Sequence, residues 1–242
     1  ALDHPLSVTR LSLNGPLSVS AIKQVQRFKN LEYLSIHNVH MHRLPDAFGQ
    51  LTKLRVLDLS DNDIKKLPKS IGALPQLEEV FLNNDAELNL HQAFNVLREL
   101  PHLRSLHLDE LDAPVIPVNL SKLTHLEILT LRNDHLPQLP QAVRELPNLH
   151  ELDLVGNEFS MAPGLLNQHK ELVSLSLAIA PTQGSTKRNI AQPFPSLRTH
   201  FAPSPLARMQ TNTSLTSTPI KSLCPVVRSR LMESGTHSSP PI

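Results

Sequence analysis

The feature that most constrains this chain is a period. The pattern L-x-x-L-x-L begins at Val8, Leu31, Leu54, Leu77, Leu103, Leu126, Leu149 and Leu172, at intervals of 23 residues with a single interval of 26. A chain that restates one apolar pattern seven times builds one structural unit over and over. Composition agrees: 45 of the 242 residues are leucine, against seven Phe, one Tyr and no Trp. The clearest unit is LRVLDLSDNDIKKLPKSIGALPQ, from Leu54 to Gln76. Leu57 and Leu59 lie two apart and so share one side of a strand, leaving Val56, Asp58 and Ser60 on the other. Leu67-Pro68 then turns the chain, and Ile71 and Leu74, three apart, pack a short helical return segment inward. One unit cannot bury its own leucines, so the coils must stack.

The same marks recur as Leu44-Pro45, Ile116-Pro117, Leu139-Pro140 and Ala162-Pro163, with Phe48, Leu120, Val143 and Leu166 behind them. On these residues the chain resembles the leucine-rich-repeat family over about residues 8–180. The resemblance implies an α/β solenoid: a curved parallel sheet on the concave face, short helices and turns on the convex face. It also implies that Asn62 and its counterparts bond neighbouring turns through backbone groups. That ladder is broken in sequence, because the position holds Asn62, Asp85, Asp134 and Asn157 but Val39 and Leu111 elsewhere. The fourth unit carries three extra residues, and the spacing of Phe94, Leu97 and Leu100 predicts one extra helical turn there.

Two domains are expected, a solenoid of about eight repeats over 1–180 and a Ser/Thr/Pro-rich tail over 181–242. Residues 179–242 hold nine Pro and eighteen Ser+Thr, a composition that predicts a largely disordered segment. Seven Lys/Arg against one acid give the tail a net charge of +6, which leaves 1–178 at −5. The first coil begins seven residues from the start of the chain, so a capping segment upstream is expected to have been cut away.

Repeat position also assigns a face to each side chain. The concave face is expected to present Tyr33, His37, Asp58, Glu79, Phe81, Asn83, His107, Asp109, Arg132, Glu151 and Asp153. With the flanking strand positions the set holds ten acids and four arginines, so a protein partner with a basic patch is the electrostatic expectation. Phe81 and Tyr33 are the aromatics on solvent-facing strand positions, the usual form of an interface anchor. Asp109 and Arg132 occupy one column of adjacent strands and are expected to pair.

Catalysis is not expected. Ser105, His107 and Asp109 alternate along one strand, about 6.6 Å apart, too far for a hydrogen-bonded triad. His37, His40 and His42 straddle a strand end and a turn, so no metal site is read there, and no cofactor is expected. Cys224 alone excludes an internal disulfide and a thiolate zinc site. A net charge of +1 argues against nucleic acid, and no apolar run reaches the roughly 20 residues of a membrane span. A monomer is expected. The cysteine-free, Leu-Pro-rich unit is similar to the repeats of type III effectors of plant-pathogenic bacteria and of plant intracellular Ras-group repeat proteins. That resemblance implies an intracellular protein, or an effector secreted into a host cell to bind a host protein. Its alternatives are the substrate-recognition part of a ubiquitin ligase whose catalytic domain is absent here, and an intracellular scaffold.

Overall fold

A computed structural model describes residues 5–159 and 172–177. The tail, and with it the expected boundary at 180 and the disorder of 181–242, lies outside the described residues, as do Ala162-Pro163 and Leu166.

Each repeat contributes one strand: β1 Arg10–Asn14, β2 Tyr33–His37, β3 Val56–Asp58, β4 Glu79–Phe81, β5 Ser105–His107, β6 Ile128–Thr130, β7 Glu151–Leu154 and β8 Ser174–Leu177. They form one parallel eight-stranded sheet in chain order. The register is the sequence period itself. Leu34 sits opposite Leu57 and Leu57 opposite Val80, and the 26-residue step is absorbed so that Val80 meets Leu106. Leucines at one strand position therefore stack on each other. Leu34, Leu57, Leu59, Val80, Leu82, Leu106, Leu108, Leu129, Leu131 and Leu154 are all fully buried.

The return segments explain the Leu-Pro mark. Pro45, Pro68, Pro117 and Pro140 are extended, with φ near −60°, the value a pyrrolidine ring fixes. Each proline carbonyl accepts the first bond of the turn that follows, from Phe48, Ile71, Leu120 and Val143 at 3.1 Å. Those turns are five-residue 3-10 segments at Asp46–Gln50, Lys69–Ala73 and Val118–Lys122, and a single α-turn, α3, at Gln141–Arg144. Helix α1, Val19–Gln24, serves the first coil, with Ser18 capping the Ala21 N–H. The fourth unit departs as expected. Its extra residues make α2, Leu90–Leu97, an eight-residue helix with Asn89 capping the Gln92 N–H at 2.9 Å. Phe28, Phe48, Phe94 and Phe159, core positions by the period, are all buried.

Asparagine bonding also follows the resemblance. The Asn62 side-chain nitrogen donates to the carbonyls of Ile36, Leu59 and Ser60, and its oxygen accepts the Val39 N–H at 3.1 Å. Asn157 repeats this with Leu131 and Leu154 as acceptors and the N–H groups of Asp134 and Leu136 as donors. At Asp85 and Asp134 only half of the pattern survives. One carboxylate oxygen accepts the N–H of Ile64 or Leu111, and the other is buried without a hydrogen-bond partner.

A second ladder was not visible in the leucine pattern. Gly15, Asn38, Asp61, Asn84, Glu110, Asn133 and Gly156 all have positive φ, between 54° and 88°. They mark the bend that follows each of β1 to β7, and all but Glu110 are Asn, Asp or Gly, the residues that enter that region most readily.

Candidate functional site

The sheet face opposite the return segments is where side chains of eight strands converge. Three rows run across it, set by the parallel register. One contains Arg10, Tyr33, Val56 and Glu79, a second Asp58, Phe81, His107, Thr130 and Asp153, and a third His37, Ser60, Asn83, Asp109 and Arg132.

Alternation predicts that these residues face solvent, and the centre of the sheet modifies that. Val56, Asp58 and Ser60 are 4%, 9% and 6% exposed. Strands roughly 4.8 Å apart let the long side chains of Tyr33, His37, Glu79 and Phe81 close over the shorter ones between them. Asp58 is thus a support as much as a contact. The Asp58 carboxylate meets His37 Nε2 at 2.8 Å, while His37 Nδ1 lies 3.4 Å from Asp61. One imidazole therefore bridges two acids across strands β2 and β3.

Phe81 is half-buried and stacks on His107, with ring centroids 4.1 Å apart and planes within 7°. His107 is in turn held by Glu79 at 3.2 Å and by the Thr130 hydroxyl at 3.2 Å. The same contacts occupy both ring nitrogens of His107, so this imidazole serves neither Ser105 nor Asp109. Tyr33 carries the Arg10 guanidinium 4.2 Å above its ring centre, a cation-π contact that the sequence reading missed. Burial, followed by the charge of Asp58, raises the Tyr33 hydroxyl above its ordinary value of 10.0.

The expected pair of Asp109 and Arg132 does not form through side chains. Arg132 reaches forward to Asp153 instead, and Asp109 Oδ1 accepts the backbone N–H of Arg132 at 3.0 Å. The column placement was right and the partner wrong. Just past the end of β5 the Asp109 side chain meets the neighbouring backbone donor, which leaves the guanidinium free to take the next acid. Asn83 does for Asp109 what Asp109 does for Arg132, accepting its N–H at 2.9 Å. Both residues tie rungs together.

Charge on this face is largely paired between rungs. Arg55 meets Glu78 at 2.9 Å, Arg104 meets Glu127 at 2.8 Å, and Arg132 takes Asp153, whose contact raises the arginine's pKa further. With three of the four arginines committed and the fourth over Tyr33, Glu32, Asp61, Glu110 and Glu151 keep the surface acidic. Glu151 and Arg132 are exposed, while Glu79, Asn83, His107, Asp109 and Asp153 are half-buried.

No group of three or more His, Cys, Asp or Glu side chains among the described residues is arranged to hold a metal ion. His40 bonds Asp63 at 3.1 Å, and His42 the Asp63 carbonyl at 3.2 Å. No helix among the described residues is long and apolar enough to cross a membrane.

Comparison with known proteins agrees with this geometry. Residues 6–100 match the sequence model of a leucine-rich repeat region. Over 76 residues the chain is 36% identical to human leucine-rich repeat-containing G-protein coupled receptor 6, an alignment covering 31% of this chain and 8% of the receptor. The chain thus spans only a small part of that relative's length. Among solved structures, human trophoblast glycoprotein (Wnt-activated inhibitory factor 1) is similar with a TM-score of 0.57 and 25% identity, over 72% of this chain and 70% of that one. Internalin C2 of Listeria monocytogenes is similar with a TM-score of 0.52 and 19% identity, over 76% and 78% of the two chains. Toll in its complex with Spatzle, from Drosophila, gives 0.54 and 17% over 64% of this chain and 24% of that one. Period, register, proline turns and these likenesses converge: the described residues form a leucine-rich-repeat solenoid.

Proposed function

We propose that the chain recognises a protein partner through the acidic concave face, with the stacked Phe81–His107 pair and its neighbours Glu79, Tyr33 and His37 at the centre. One observation carries this reading. The central side chains are fixed to each other across strands before any partner arrives, so little side-chain entropy is lost on contact. A rigid aromatic on a face where Glu32, Glu110 and Glu151 have no cation within 4.0 Å suits a basic, partly apolar protein surface.

The catalytic alternative has no support in the geometry, because His107 is held by Glu79, Phe81 and Thr130. An effector that binds a host protein, and the substrate-selecting part of a ubiquitin ligase, are narrower versions of the same recognition role. Both rest on the style of the repeat alone, and the similar structures come from a bacterium, an insect and humans. A scaffold role is equally compatible with the face.

The test compares the full chain with a variant carrying Glu79→Lys, Phe81→Ala and Glu151→Lys, both immobilised and offered a lysate. Asp109 is left intact because its carboxylate satisfies the Arg132 backbone. Circular dichroism checks that the variant stays folded. A protein held by the native chain and lost by the variant supports the proposal. Retention of the same proteins by both would sink it.

A further inference from the structure

A second surface, away from the strand face, has the opposite charge. Between the second and third coils, bordered by Gln92 of the fourth, lies a groove of about 800 Å3 whose charged lining is Arg43, Asp46, Lys65, Lys66 and Lys69. Four of these are permanent cations and one is an acid, within a repeat region whose own balance is negative.

The cations are held in place by the backbone beneath them. Arg43 and Lys66 are partners in an isolated parallel bridge, so their side chains leave adjacent rungs roughly 4.8 Å apart. Gln92 clasps the backbone of Leu67 from the other side, accepting its N–H at 3.0 Å and donating to its carbonyl at 2.7 Å. Lys65 is engaged by Glu87 and Arg43 lies 3.7 Å from Asp46. Among the described residues Lys66 and Lys69 have no acid within 4.0 Å. Buried Leu67 and Pro68 form an apolar floor, where a bound charge is screened less than on open surface.

We infer that this groove is a binding site for a phosphate-bearing ligand, with Lys66 and Lys69 as its unpaired cationic contacts and Arg43 beside them. Charge balance selects phosphate over carboxylate. Four cations against Asp46 and the Glu87 that engages Lys65 leave a surplus of two, and a phosphomonoester brings about −1.5 to −2, so one such group neutralises the site. Lysine serves phosphate as a point charge and arginine as a fork, and both are present. Single-stranded nucleic acid fits poorly. Its sites pair the basic track with aromatic rings for base stacking, and no Phe, Tyr or Trp lines this groove. The phosphate could belong to a soluble polyphosphate or to a phosphorylated lipid headgroup, and the experiment separates the two.

Tripolyphosphate is titrated into the full chain by calorimetry. The groove variant is Lys66→Gln with Lys69→Gln. One control removes two exposed lysines elsewhere, Lys53→Gln with Lys122→Gln, and another two tail arginines, Arg228→Gln with Arg230→Gln. The expected result is a saturable site whose Kd rises roughly tenfold in the groove variant and stays near the native value in both controls. In a parallel arm the same proteins are floated with phosphatidylcholine vesicles, with and without phosphatidylinositol bisphosphate. Groove-dependent capture by the doped vesicles assigns the ligand to a lipid headgroup. Groove-dependent binding of tripolyphosphate alone assigns it to a soluble polyphosphate. Binding that weakens alike in all three variants, or binding in neither arm, overturns the inference.

Discussion

Replacing Asp85 and Asp134 by asparagine should stabilise this protein at neutral pH and do little in acid. Both aspartates stand where Asn62 and Asn157 stand in other coils. Each uses one oxygen well and leaves the other buried, with total exposures of 1% and 0%. By equivalence with Asn157, that second oxygen replaces an amide nitrogen that would donate to the carbonyls of the strand end. Desolvation is therefore the first cause that raises both carboxyls from 3.8 to about 7. The backbone N–H bonds that each accepts pull the other way and lose.

The sign follows from where the proton is held more tightly. The folded state keeps it to about pH 7 and the unfolded chain releases it near 3.8. The contribution of each aspartate is most favourable below pH 3.8 and is lost as pH rises to about 7, after which the cost is constant. A rise of this size corresponds to at most about 4 kcal/mol per site. Local relaxation around a buried charge brings it to about 2 kcal/mol. Asparagine removes that cost and adds donors to the carbonyls. In a domain of this size each substitution should lift Tm by about 4–8 °C at pH 8. Urea unfolding and thermal melts at pH 4.5 and pH 8 read the difference. An equal gain at both values, or no gain at pH 8, would refute the view that a buried charge is what these coils carry.

Other perturbations test other links. Gly156→Ala should cost more than Gly15→Ala, about 2 kcal/mol against about 1 in denaturant melts. Both have φ of +80° or more, yet a Cβ at Gly156 would lie 1.8 Å from Asn133 Oδ1, and one at Gly15 meets nothing within 4 Å. Gln92→Ala should lose about 1–3 kcal/mol, because two backbone groups of Leu67 lose their partner, and Gln92→Glu should recover little because it cannot donate to the carbonyl. His135 should titrate above the ordinary 6.5 by NMR, since Glu158 bonds its Nδ1 at 2.8 Å. Glu158→Gln should bring it down, and an unchanged midpoint would reject that cause.

What a repeat makes legible is position along the coil, and what it hides is everything decided between coils. Leu57 and Leu59 could be placed in the core from spacing alone, because a strand has only two faces and one of them must bury leucine. The same spacing put Phe81 and His107 in one row, but not in contact. Whether two flat rings on adjacent rungs stack, or each turn to solvent, depends on rotamers and on Glu79 and Thr130 holding the imidazole. Arg132 shows the limit most clearly. Its column was readable and its partner was not, because Asp109 in its own row is taken by the Arg132 backbone N–H and the guanidinium goes to Asp153 on the diagonal. The basic groove was hidden for a related reason. Arg43 and Lys66 are 23 residues apart, and the three lysines of one unit meet Arg43 only when neighbouring coils stack. A solenoid therefore writes its core into each repeat and its surfaces into the differences between repeats. Recognition on either face should accordingly be altered by substitutions at one rung's variable positions, with the leucine lattice beneath unchanged.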